Sequence, residues 1–409
     1  MVARREETPT VPSSEESVET KLRRIAEKAR TEPSFKFSNL YHLMNEELLR
    51  GCFKRLRKDA AAGIDDETKE TYAANLDANL SELIDRLRRM AYIPQAVRRT
   101  YIPKPGSAKQ RPLGIPCFED KLVQAGMVRI LNAVYEQDFM DDSYGFRPTC
   151  SCHKALIALS GTVENKRVNH IVEADIKGFF DNVNQEWLMK FLEHRIADKR
   201  MLRMVKRFLK AGVSEDGSIT ISDEGTPQGG VISPLLANIY LHYALDLWFK
   251  KVYSKSCTGY ARLIRYADDF IACFQTKGDA DRFRAELGER LGKFNLEVEP
   301  TKTRVIEFGR FAVENAARKG KRAETFDFLG FTHYCGRSRD GKSFRMKRVT
   351  ARKKFTAKIH AFKEWLMKSR TMKTAARATQ VRFSAGGFFI LDDFKYKQVL
   401  DRLWMKYLD

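Results

Sequence analysis

Residues 265–271, RYADDFI, constrain this chain more than any other stretch. Two adjacent carboxylates, Asp268 and Asp269, stand between apolar runs at 262–264 and 270–274. Strand-like runs on both sides of Ala-Asp-Asp predict a tight β-hairpin with the acids at its tip. An Asp-Asp pair at an ordinary surface turn is solvated, whereas these flanks imply burial. Two like charges about 4 Å apart repel by about 4 kcal/mol at an effective dielectric of about 20, so the pair requires a proton or a cation. Mg²⁺ suits it, because this ion binds few protein carboxylates, keeps waters and completes its shell with phosphate oxygens.

A third carboxylate has a matching context. In IVEADIKGFFD (171–181), Asp175 ends an apolar strand just before the chain turns toward a helix. Asp181 and Asn184 are read as helix N-caps; Asp175 has no such explanation. If the two strands are neighbours, Asp175 and Asp268 can face each other and share two metals about 3.5–4 Å apart, the arrangement for in-line phosphoryl or nucleotidyl transfer.

Charge points the same way. The chain of 409 residues carries a formal +21, and residues 301–409 hold 27 Lys and Arg against 10 Asp and Glu. A basic excess of that density is the footprint of a protein that neutralises nucleic-acid phosphates. No apolar run of about 18 residues is present to span a membrane, and residues 1–20 lack the apolar stretch of a signal peptide. A cytoplasmic, nucleic-acid-associated protein without membrane contact is expected. The seven cysteines contain no CxxC pair, so they predict reduced packing thiols rather than a zinc ribbon or a disulfide framework.

Periodicity supplies a coarse map. Residues 1 to about 18 are polar and predict a disordered extension. Leu80, Leu83, Ile84 and Leu87 mark a helix, and so does the run from Leu122 to Val134. Strands are expected at 97–102 and 111–115 as a basic hairpin, at 169–175, on both sides of RYADDFI, at 303–308 and at 326–334. Long helices are expected over about 185–212, from Pro234 to about 252, and over about 278–293, with a basic helical region from about 350 onward.

Eight ordered blocks resemble the reverse transcriptases of the group II intron type. GID (63–65) is similar to the N-terminal motif. IPKP (102–105) with RPLGIP (111–116), and SYGFRP (143–148), are similar to the finger motifs. ADIKGFFDNV (174–183) resembles the first palm motif, GTPQGGVISPLLAN (225–238) the second, and YADD (266–269) the catalytic box. NLEVEPTKT (295–303) and FDFLGF (326–331) resemble the motifs that close the palm. The resemblance covers about residues 40–345 and, more loosely, the tail.

It implies an α+β right-hand polymerase: fingers, a palm whose antiparallel sheet carries the YADD hairpin, and a helical thumb. The corresponding divisions are a partly disordered N-terminal extension at 1–35, fingers with part of the palm at 36–165, palm at 166–348 and a thumb or maturase-like region at 349–409. No DNA-binding or endonuclease domain is expected after it. Asp175, Asp268 and Asp269 resemble the catalytic carboxylates and, with the Ile176 carbonyl, the ligands of two Mg²⁺ ions, for which Mn²⁺ can substitute. Lys104 and Arg111 resemble the clamp on the incoming triphosphate, Phe180 the steric gate against a ribose 2′-hydroxyl, Gln228 a residue beside the nucleotide, and Lys302 the lysine that protonates pyrophosphate. Template and primer contacts fall on Gly63, Arg147, Pro227, Gly229, Arg352, Lys353 and Lys354.

The function so implied is an RNA-directed DNA polymerase that uses an RNA template, a DNA or RNA primer and dNTPs, with a group II intron RNA as a further partner for maturase activity. Two alternatives stand beside it: an RNA-binding splicing cofactor that needs no polymerase activity, and a domesticated enzyme serving bacterial defence, spacer acquisition or DNA repair.

Overall fold

The structure, a computed structural model, describes residues 16–103, 110–215, 217–220, 225 and 229–368. The chain divides into two compact units, residues 1–102 with 111–307 and residues 103–110 with 308–409.

The first unit opens with helices α1 (Val18–Thr31), α2 (Glu46–Arg55), α3 (Lys69–Ala74) and α4 (Leu76–Arg88). Strands β1 (Val97–Pro103) and β2 (Gln110–Ile115) follow, then α5 (Phe118–Tyr135) and α6 (Cys152–Asn165). Ser17, Asn45, Thr68 and Ser151 cap their helices by accepting from the first turn's free amides, which replaces hydrogen bonds a helix cannot make internally. Helix α5 is apolar nearly all round: Leu122, Val123, Met127, Ile130, Leu131 and Val134 are fully buried. Such a helix must be surrounded, and α1 and α2 pack against it. Helix α1 lies within the expected partly disordered extension at 1–35 and is ordered by burial of Val18, Leu22 and Ala29; residues 1–15 lie outside the described residues.

Next come β3 (His170–Ala174), a 3₁₀ turn at Phe179–Asp181, α7 (Gln185–Glu193), α8 (Lys199–Leu209), β4 (Val213–Glu215) and β5 (Ser218–Thr220). The single helix expected over 185–212 is two helices. Asp198 breaks it: its carboxylate accepts from Arg200 and Met201 N at the start of α8, and from Leu40 and Tyr41 N at 2.7 Å each. Asn184 caps α7 as expected, with Oδ1 accepting from Trp187 N, whereas Asp181 lies inside the 3₁₀ turn and caps nothing. Helix α9 (Ser233–Leu241) continues through π-helical turns at His242–Asp246 and Phe249–Tyr253 into α10 (Ser254–Ser256). Strands β6 (Ala261–Tyr266) and β7 (Asp269–Phe274), helix α11 (Lys277–Gly292) and β8 (Arg304–Glu307) complete the unit.

Two four-stranded sheets result, in the orders β6-β7-β3-β8 and β2-β1-β4-β5. The first is antiparallel throughout, with α11 packed on β3, β7 and β8, and α6 on β6. The second joins the expected hairpin to two short strands that polarity had concealed, β4 running parallel to β1.

The second unit contains α12 (Ala312–Arg318), a sheet in the order β11-β10-β9 and helix α13 (Arg352–Lys368). Strand β9 is Phe326–Phe328, β10 is Phe331–Arg337 and β11 is Phe344–Thr350. The one strand expected at 326–334 is thus a hairpin, turned at Leu329 and Gly330, both at positive φ. Phe326 stacks on the buried His333 ring at 4.9 Å.

Candidate active site

Strand β3 is central in its sheet, and its register assembles the site. It pairs with β7 as Glu173 with Ile271 and Ala174 with Phe270. One further step of that register sets Asp175 opposite Asp269. On its other edge β3 pairs with β8, Glu173 opposite Arg304, and extending that register leads from Asp175 to Lys302. Asp268 lies at the tip, in a two-residue turn with Ala267, closed by the pair Tyr266 and Asp269. Ala267 takes φ +57°, the left-handed conformation that two-residue hairpins demand at their first turn position.

The chain beyond Ala174 stays extended. Glu299 N donates to Asp175 O at 2.8 Å and Lys177 N to Glu297 O at 2.9 Å, flanking a bridge between Ile176 and Val298. Lys302 Nζ forms an ion pair with Asp175 Oδ2. The lysine pKa is raised, first by that hydrogen bond and then by the charges of Asp175, Glu299 and Asp269. The donors gathered here are carboxylate oxygens, hard ligands suited to Mg²⁺ or Mn²⁺. Among the described residues no three carboxylate, imidazole or thiol groups converge on one point. The ammonium on Asp175 shows that this sheet end already attracts a cation.

Behind the turn lies a network that sequence reasoning missed. Arg265 is wholly buried, and its guanidinium grips Asp246 through two hydrogen bonds of 2.8 and 2.6 Å. Its Nη1 also donates to Asn238 Oδ1 at 3.0 Å and to the carbonyl of Ala267 at 2.9 Å, inside the turn that carries Asp268. A buried bidentate pair fixes geometry as well as charge. The signal was available in part: Asp246 is a single charge within an apolar run.

The Phe179 and Phe180 rings meet edge to face at 5.3 Å. Phe179 is core, while Phe180 is half-buried at its margin. Gly225 N donates to Val183 O at 2.8 Å, which seats the start of the 225–238 segment on the chain just after this turn. Gly229 has φ +113°, and a Cβ there would overlap the carbonyl of Gly114 in β2, so this glycine permits close contact with that strand. Gly63 is likewise pressed against the backbone of Cys117.

Arg147 turns into its own loop. Its side chain is 10% exposed, paired with Glu136 at 3.1 Å and donating to the Met140 and Ser143 carbonyls at 2.8 and 2.7 Å. A guanidinium held this way braces that loop. Arg352, Lys353 and Lys354 open α13 in the second unit and are exposed. Lys104, Pro227, Gln228 and the side chain of Arg111 lie outside the described residues.

Residues 102–333 match the reverse transcriptase (RNA-dependent DNA polymerase) family. The chain belongs to the reverse transcriptase family. It is 40% identical over 225 residues to the group II intron-encoded protein LtrA of Lactococcus lactis subsp. cremoris, covering 54% of this chain and 37% of that protein. It is 33% identical over 321 residues to protein YkfC of Escherichia coli strain K12, covering 69% of this chain and 83% of that protein. A protein described as an uncharacterized 91 kDa protein in the cob intron of Schizosaccharomyces pombe is 31% identical over 232 residues, 55% of this chain and 28% of its own. The chain thus spans little more than a third of the lactococcal relative's length. For this reverse transcriptase-family chain, no described helix is long and apolar enough to cross a membrane.

Proposed function

We propose that the chain is an RNA-directed DNA polymerase of group II intron ancestry that extends a primer on an RNA template with deoxynucleotides. The observation that carries this reading is the end of the β6-β7-β3-β8 sheet, where Asp175, Asp268 and Asp269 share one edge beside Lys302. Asp175, Asp268 and Asp269, with the Ile176 carbonyl, would hold two Mg²⁺ ions. When bound, such ions activate the attacking oxygen and neutralise the charge on the leaving one. The primer 3′-oxygen attacks the α-phosphorus as the bond to the β-phosphate breaks and pyrophosphate leaves.

The chain's own residues position and protonate. Lys302, whose raised pKa keeps Nζ charged at neutral pH, is assigned the proton that the leaving pyrophosphate takes up. Phe180 is assigned the exclusion of a ribose 2′-hydroxyl; Lys104 and Arg111 the triphosphate; Gln228, with Pro227 and Gly229, the nucleotide and its template base. Residues 36–165 would act as fingers, 166–348 as palm and 349–409 as thumb, with Arg352, Lys353 and Lys354 on phosphates.

Asp268→Asn tests the reading directly. It should reduce dT addition to an oligo(dT) primer on poly(rA) by about a hundredfold or more, the several kcal/mol of transition-state stabilisation expected of a metal-held site. Unimpaired extension would reject the reading. The concentration of cations in residues 301–409 favours a second role, binding of a group II intron RNA. Truncation at residue 349 should then abolish that binding while Asp268→Asn retains it, and the reverse pattern would reject the role.

A further inference from the structure

The segment 143–147 is tied to the candidate site through Ser143, Tyr144 and Gly145 and to its own loop through Arg147, leaving one residue without such an anchor. Ser143 bridges to Arg265 in parallel fashion, and Tyr144 N donates to Arg265 O at 2.8 Å. Gly145 O accepts from Asn238 Nδ2 at 2.7 Å, and a Cβ on Gly145 would overlap the backbone of Ala267. Arg147 holds the far end through Glu136 and two carbonyls, its guanidinium 5.3 Å above the Phe139 ring.

The exception is Phe146. It has φ +55°, and its side chain is 55% exposed. The left-handed conformation is a genuine outlier for a bulky aromatic, and an exposed ring gains little burial to offset it. The strain persists because the residues on either side are over-determined. Strain held in that way at a functional site is the kind of outlier from which a role can be inferred. Its direction is informative: the ring lies 6.4 Å from that of Tyr266, inclined at 45°, and Tyr266 directly precedes the turn of Ala267 and Asp268.

We propose that Phe146 and Tyr266 form a stacking platform for a nucleobase of the bound primer–template beside Asp268. The proposal rests on the polymerase reading above and names a binding surface for it. Stacking suits a copying enzyme because every base has a π-face, so it binds without selecting sequence. It also suits this place in the chain, since an uncharged ring can lie beside carboxylates that would repel a phosphate. The base belongs to either the primer or the template strand, and the test separates them.

Two RNA–DNA primer–templates carry 2-aminopurine, one at the primer 3′ end and one at the template position opposite. With the wild-type protein, emission should be quenched in one of the two, which identifies the strand. Phe146→Gly relaxes the backbone and removes the ring. It should lift the quenching and weaken affinity by about 5- to 150-fold, the span of base–aromatic stacking, with KM for primer–template rising more than kcat falls. Phe146→Tyr should restore both. A merely structural role predicts that Phe146→Gly raises the melting temperature and leaves affinity and quenching as they were, and that result overturns the proposal. So does the absence of quenching in either substrate with the wild type. If the wild type binds and quenches but adds no nucleotides, the polymerase reading fails and the platform stands; if it extends normally with no dependence on Phe146, the platform fails alone.

Discussion

The two four-stranded sheets of the first unit have opposite surroundings. In β6-β7-β3-β8, five of the six residues of β7 are buried, and so are Ile171, Val172 and Ala174 of the central strand β3. In β2-β1-β4-β5, every residue of β5 is exposed, and Tyr101, Ile102 and Ile219 are about half or more open to solvent. The buried sheet ends in carboxylates fixed by register on both edges, and its hairpin is braced from behind by Arg265. The second sheet instead turns these side chains toward solvent. A site that must hold acids to within fractions of an ångström is built on packed strands, whereas a surface that closes on substrate does not need that packing.

The strongest way to break this comparison is Asp246→Ala. Removal of one partner from a buried ion pair leaves an uncompensated charge and costs about 3–5 kcal/mol. We expect that loss in urea unfolding, together with reduced extension, because Arg265 also holds the carbonyl of Ala267. Asp246→Leu combined with Arg265→Met should recover most of the stability and little of the extension. A loss below about 1 kcal/mol for Asp246→Ala, the range of exposed pairs, would show that the β6-β7 hairpin is not braced in this way.

Acid titration separates the regions by sign. Asp120, on α5, accepts from Tyr92 Oη and Gln95 N, yet burial pushes its carboxyl up to about 6. A carboxyl raised in the folded state stabilises below its usual value, and that contribution is lost as pH rises through about 6. His242, among the charges of Asp246, Arg265, Lys251 and Arg147, is pushed down to about 4, chiefly by burial. Its contribution is present above its usual 6.5 and is lost as pH falls toward about 4. Asp120→Asn should therefore flatten a rise in stability on acidification, and His242→Asn a fall, each of order 1–3 kcal/mol between pH 4 and 7 in urea midpoints. Equal slopes for both variants and the wild type would contradict the assignments.

Much of the β6-β7-β3-β8 sheet was legible because it is apolar. RYADDFI reads as a hairpin from its alternation and turn residues, and the apolar approach to Asp175 reads as a strand. The contacts that make a site of them were not legible, because register and strand order depend on pairings about a hundred residues apart in the chain. Arg147 shows the converse: it sits in a recognisable motif, but its burial against Glu136 could not be inferred from its neighbours. The break between α7 and α8 is marked by Asp198, a residue type that caps helices, but the helical spacing of apolar residues continues on both sides of it and conceals the break. Strands β4 and β5 carry almost no pattern, since a short exposed edge has no buried face to impose one.

That last point gives the smallest effect and a sensitive probe of the comparison. Tyr101 Oη donates to Glu215, and Arg99 lies 3.9 Å from the same carboxylate, so β1 and β4 are linked across the exposed sheet by polar contacts. Such contacts compete with water on nearly equal terms, and exposed pairs are worth about 0–1 kcal/mol. Tyr101→Phe and Ile219→Thr should each shift unfolding free energy by no more than about 0.5 kcal/mol, measured by urea denaturation at neutral pH. If this sheet serves to meet nucleic acid, the same variants should alter the KM for primer–template at unchanged stability. A loss of stability as large as that of Asp246→Ala would mean instead that this sheet is itself a packed framework, and the contrast between the two sheets would no longer explain where the carboxylates are placed.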